Sequence, residues 1–179
     1  MINTSAQTQN ATRETTKLVA YTAVFAAMIT IMTAYICHIP VGFNQGYIHL
    51  GDTLIYLAAS LLPTPYACAA AAIGGGMADV LTAPIWAPAT IIIKALLCLG
   101  FTSKQNQIIN KRNVSAAVIG MAITIIGYYI AEVIIYGNAQ AAFVTSVTGN
   151  LIQSTGSLVL FIVIGKMLDR TGVKSFLIK

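Results

Sequence analysis

Six apolar stretches, at about 18–38, 48–62, 66–82, 86–103, 114–136 and 144–168, make up most of this chain, and its basic residues avoid every second gap between them. At 1.5 Å of rise per helical residue, such stretches approach the length needed to cross roughly 30 Å of hydrocarbon. Placing the amino terminus inside puts Arg13, Lys17, Lys104, Lys111, Arg112, Lys166, Arg170, Lys174 and Lys179 on the cytoplasmic side. The outer connections, about 39–47, 83–85 and 137–143, then hold no Lys or Arg, the asymmetry expected of an oriented membrane protein. Only Lys94 is left over, inside the fourth stretch. The pattern predicts an all-α integral membrane fold: six transmembrane helices, both termini cytoplasmic, in a multi-pass protein of the cell membrane. A chain of 179 residues that is 57% hydrophobic and 8% charged, with mean hydropathy +0.79, has more apolar surface than one soluble core can bury.

Residues 1–16 read as a polar cytoplasmic segment and 17–179 as a single membrane domain. The polar start lacks the basic, apolar and small-residue sequence of a signal peptide, so the first apolar stretch is expected to stay in the mature protein. The second stretch is short for a crossing, and Pro63, Thr64 and Pro65 mark a tight break after it. A sequence pI near 9.2 does not point to nucleic acid, because the basic residues punctuate apolar segments instead of forming an aromatic-laced patch. Cys37, Cys68 and Cys98 stand far apart without a CxxC spacing and read as small hydrophobes.

Four charges fall in or near the hydrocarbon: Asp52, Asp79, Lys94 and Glu132. Each costs at least about 2.5–3.5 kcal/mol at the bilayer centre, so each asks for a partner, a cavity or a function. His49 and Asp52 are three apart, a spacing that first suggests a catalytic or metal pair. At the start of a helix, however, Asp52 is favoured by the dipole and by capping, which assigns it a structural role. Asp79 is also assigned a structural role, as the expected ion-pair partner of Lys94 across the short 83–85 connection; direct ligand contact by Lys94 is the alternative. Tyr128 lies one turn before Glu132 on the same face, which suits a polar heteroaromatic ring held by the carboxylate, or else an interfacial aromatic with a snorkelling acid. Asn150 and Gln153 share a face in the sixth stretch, as ligand groups or as interhelical hydrogen bonds. Trp86, between Pro84 and Pro88, is either an interface anchor or a pocket wall. Ala20, Ala23 and Ala27 line one side of the first stretch, and their AxxxA spacing permits close packing by another helix. Gly74, Gly75 and Gly76 read as internal packing.

No HExxH, GxSxG, Walker loop, water-channel box or Cys/His cluster occurs, so no catalytic residue, metal ligand or cofactor is assigned and the chain has no means of hydrolysing ATP by itself. The ordered set of AxxxA at Ala23–Ala27, HLGDTLIYLAA from His49, GGGMADVL and APATIIIKAL, in so small a chain, resembles the substrate-capture (S) component of energy-coupling factor (ECF) vitamin transporters. The resemblance covers essentially the whole chain. It implies that the first-helix alanines pack on a membrane scaffold bound to two cytoplasmic ATPases. It also implies a vitamin held near the outer face, carried by position onto Asn44, Tyr47, His49, Trp86, Lys94, Tyr128, Glu132, Asn150 and Gln153. The surplus of Asp52, Asp79 and Glu132 over Lys94 disfavours a carboxylate ligand. Hydroxymethylpyrimidine or pyridoxine rank first, ahead of riboflavin and thiamine. A stand-alone channel or facilitator and an intramembrane enzyme are the competing expectations.

Overall fold

The computed structural model describes residues 4–36, 38–41 and 46–177. Helix α1 (Thr4–Ala34) begins within the polar segment and ends four residues short of the expected span. Chain then turns into a two-stranded antiparallel hairpin, β1 (Ile39–Val41) with β2 (Gly46–Ile48), in which Ile39 faces Ile48 and Pro40 faces Tyr47. This short strand pair, 39–41 with 46–48, adds to the expected helices, with Pro40 at an edge, where its missing N–H does no harm.

Short α2 (Asp52–Leu61) follows, almost wholly buried, then α3 (Thr64–Thr82) beyond the Pro63 break. A 3₁₀ turn (Pro84–Trp86) leads into α4 (Ala87–Leu97), which ends before the expected residue 103 in turns at 98–100. Helix α5 (Lys111–Tyr136) is capped at its start by Asn110, whose side chain accepts from Asn113 N, and closes at Gly137, whose positive φ of 69° suits the left-handed stop. Then α6 (Ala139–Ala142), a π turn (Phe143–Val147) and α7 (Thr148–Thr171) run on continuously, ending at Gly172 and a short α8 (Val173–Leu177).

Three of these runs, Gln7–Ala34, Lys111–Tyr136 and Ala139–Thr171, are individually long and apolar enough to cross a membrane; Asp52–Leu61 and Pro84–Leu97 are shorter apolar helices. The protein is a membrane protein by family and by these helices. Its outward face agrees, since Ile119, Ile126, Ile134 and Met167 are all exposed, a surface suited to lipid tails.

In lipid, helices associate by close packing, so small residues decide which pairs meet. On α3, Ala67, Ala70, Ala71 and Ala78 are completely buried. A Cβ on Gly74 would lie 2.7 Å from Ala26 O of α1, and one on Gly76 would lie 2.6 Å from Ile91 Cγ1 of α4. The glycines therefore serve internal packing, as the sequence suggested, and seat α3 between α1 and α4. At the end away from the hairpin, Tyr56, Phe101 and Phe161 form a buried aromatic cluster with centroids 5.4–5.9 Å apart. There, too, Lys174 Nζ donates to Ser60 O at 2.8 Å, and Asp169 accepts from Ile108 N and Ile109 N. The candidate site lies at the other end, under the hairpin.

Candidate ligand-binding site

The hairpin covers the end of the bundle where α3 finishes and α5 and the π turn come together. Beneath it lies a cavity of about 290 Å³. Tyr47, Ile48 and His49 line it from the hairpin side, Asp79 from α3, Trp86 from the 3₁₀ turn, and Tyr128 and Glu132 from α5. The opposite wall comes from Val144–Ser146, Thr148–Asn150, Ile152 and Gln153. Of the sequence-assigned contacts, Tyr47, His49, Trp86, Tyr128, Glu132, Asn150 and Gln153 come together here, while Asn44 lies outside the described residues.

The Tyr47 ring stacks on His38 at 3.9 Å, and its hydroxyl donates to Asp79 Oδ1. Thr90 donates to the other oxygen of Asp79. Since the single Thr90 proton is used there, the 2.8 Å contact between Thr90 Oγ1 and Tyr128 OH has Tyr128 donating. A directed chain thus runs from Tyr128 through Thr90 to Asp79, where Tyr47 of the hairpin also ends. Burial and the Asp79 carboxylate push the Tyr47 phenol above its ordinary range, which keeps it a donor.

Lys94 does not pair with Asp79. Its Nζ lies 2.6 Å from Asp52 Oδ1, with both side chains fully buried, and 5.2 Å from the centroid of the Tyr128 ring. The reason is geometric: Asp79 is already occupied by two hydroxyls, whereas Asp52 opens α2 directly across from α4. Asp52 accordingly does not cap its helix, for Gly51 stands at the N-cap and no side-chain cap bond forms. Gln153 Nε2 donates to Asp52 Oδ2 at 3.4 Å while Gln153 Oε1 accepts from His49 N at 3.3 Å. Asp52, Lys94 and Gln153 therefore join α2, α4 and α7 and anchor the chain between hairpin and α2, with Gln153 reaching the cavity. His49 Nδ1 accepts from Gly51 N at 2.9 Å, so that nitrogen is unprotonated, and the apparent His49–Asp52 pair is not a hydrogen-bonded unit.

Facing the cavity, Glu132 Oε1 accepts from Thr145 Oγ1 at 2.6 Å. Asn150 Nδ2 donates to Ser146 O at 2.8 Å and Ser146 Oγ at 3.2 Å, so both amide protons are held and its carbonyl oxygen is what it can offer a ligand. Thr145 and Ser146 belong to the π turn, an element that widens a helix locally and recurs at functional sites. Trp86 makes an edge contact with Tyr128, centroids 6.1 Å apart, completing an aromatic wall. Sequence reasoning missed Thr145, Ser146, Thr148 and Gly149, and placed Asp79 among purely structural charges although it lines the cavity. Among the described residues, no three His, Cys, Asp or Glu side chains gather in a metal-holding group.

Fold and cavity together define a membrane-embedded protein with a small polar-aromatic pocket under a hairpin. The chain belongs to the family of ECF-type riboflavin transporter S components, whose profile matches residues 13–170. A protein of Pyrococcus woesei, described as an uncharacterized protein in gap 3'region, is 28% identical over 131 residues, covering 72% of this chain and 86% of that protein. Members of the family are vitamin-binding transporter subunits, not enzymes, and partner an energy-coupling module.

Proposed function

We propose that this chain captures a small, neutral or basic, one-ring heteroaromatic vitamin or precursor, hydroxymethylpyrimidine or pyridoxine, for an ATP-driven ECF transporter. In this reading the chain crosses the cell membrane six times with both termini cytoplasmic, and the ATPase activity belongs to two partner subunits. The observation that carries it is the character of the lining: Glu132 and Asp79 face the cavity beside Tyr47, Trp86 and Tyr128, and no Lys or Arg is among the described residues lining it. Two carboxylates without a cation reject a carboxylate ligand and favour ring N–H, amino or hydroxyl donors, while the aromatic wall favours a flat ring. A cavity of about 290 Å³ stands at the lower end of the range that holds drug-sized ligands, which favours one ring over three.

Riboflavin is the second reading, favoured by the description of the matching family. Titrating the purified protein with hydroxymethylpyrimidine, pyridoxine, riboflavin and pantothenate separates the readings. Binding of a one-ring ligand should weaken about tenfold in Glu132→Gln and similarly in Asn150→Ala, the loss of one buried hydrogen bond in each. Affinity unchanged in both variants removes the site.

A further inference from the structure

Cys68 lies one turn inside α3, and Cys98 closes α4. The two helices run antiparallel, with Gly75 against Lys94 and Gly76 against Ile91, a register that brings Cys68 to the level of Cys98. Cys68 Sγ donates to Ala95 O at 3.4 Å and Cys98 Sγ to Lys94 O at 3.8 Å, so the two sulfurs rest on adjacent carbonyls of one helical turn. Neither serves the ligand cavity: Asp79, the α3 residue that lines it, is eleven residues farther along, about 16 Å at helical rise. Cys98 is buried and Cys68 half-buried, which makes Cys68 the thiol that a soluble reagent meets first.

We propose that Cys68 and Cys98 form a redox-active dithiol that closes to a disulfide and staples α3 to α4 at the end away from the ligand cavity. The oxidant is a small diffusible disulfide of the glutathione type. The Cys68 thiolate attacks one sulfur of the oxidant, forming a mixed disulfide and releasing the first small thiol. Cys98 Sγ then attacks Cys68 Sγ as its proton passes to the departing small thiolate, which leaves as the second small thiol. Two protein S–H bonds become one S–S bond, the oxidant's S–S bond is reduced, and the two protons leave on the two small thiols. Only the two weak S–H···O bonds are given up. The twenty-nine residues between the two cysteines conceal this pair from any motif, because the close approach of α3 and α4 at glycines creates it.

The test treats the full-length detergent-solubilised protein with glutathione disulfide, then denatures it, alkylates it and counts labelled cysteines by mass spectrometry. The chain has three cysteines. Labelling should fall from three to one, with a cross-link between the Cys68 and Cys98 peptides, and dithiothreitol should restore all three. In Cys98→Ser the reaction stops halfway and Cys68 carries glutathione; in Cys68→Ser the buried Cys98 stays labelled and no cross-link forms. Three labelled cysteines after oxidation, a cross-link that includes Cys37, or a link between two copies of the chain would overturn the proposal.

Discussion

Replacing Lys94 with methionine keeps the length of the side chain and removes the charge facing Asp52. The carboxylate would then be left fully buried beside the Gln153 amide, without the cation that faced it. Stranding one member of a buried ion pair costs about 3–5 kcal/mol, and replacing both members by neutral groups costs much less. Lys94→Met should therefore lower the unfolding midpoint in detergent sharply, and adding Asp52→Asn should recover most of the loss; equal stability of the parent and Lys94→Met would show that the pair carries no such weight. Residue by residue, the site was partly legible. Tyr128 and Glu132 could be read together because one helical turn separates them, and that periodicity needs no tertiary knowledge. The partner of Lys94 could not be read that way. Asp52 and Asp79 lie on different helices, and choosing between them required knowing that Tyr47 and Thr90 already occupy Asp79.

At the scale of elements, apolar runs revealed the helices, while their ends and interruptions followed local hydrogen bonding that hydropathy does not record. The pairing of Ile39–Val41 with Gly46–Ile48 depends on hydrogen bonds between two strands, and the π turn at Phe143–Val147 reads in sequence as ordinary apolar helix. That is why Thr145 and Ser146 escaped notice. The glycines of α3 were legible as packing residues, and the structure gives them definite partners. Gly74→Val should separate α1 from α3, since even a Cβ there meets Ile29 Cβ at 2.8 Å as well as the Ala26 carbonyl. Overpacking of this kind costs roughly 1–3 kcal/mol or more against backbone, so a lower yield of folded protein and a lower midpoint by size-exclusion thermal challenge are expected. Wild-type behaviour of Gly74→Val would mean that the two helices are not held at this distance.

For the whole molecule, Ala20, Ala23 and Ala27 are exposed on α1, opposite the buried Ala26, Ile29 and Thr33 that pack inward. A helix that already has its internal partners and still presents small residues outward is suited to a second docking partner at close range. Ala23→Trp should abolish copurification with the scaffold and ATPases while leaving ligand affinity intact, because the substitution lies far from the cavity in the chain and faces outward. Copurification unchanged by the tryptophan would remove this surface from the assembly. ATP-driven uptake by the reconstituted complex also separates a transporter subunit from a stand-alone facilitator, which would equilibrate its solute without ATP.

The most direct measurement of the central claim is mass spectrometry of the small molecule retained by the purified protein. The account predicts a single-ring nitrogen heteroaromatic bearing amino or hydroxyl donors and no carboxylate, lost from Glu132→Gln during purification. A retained flavin, or an aliphatic carboxylate held equally by the parent and Glu132→Gln, would contradict it.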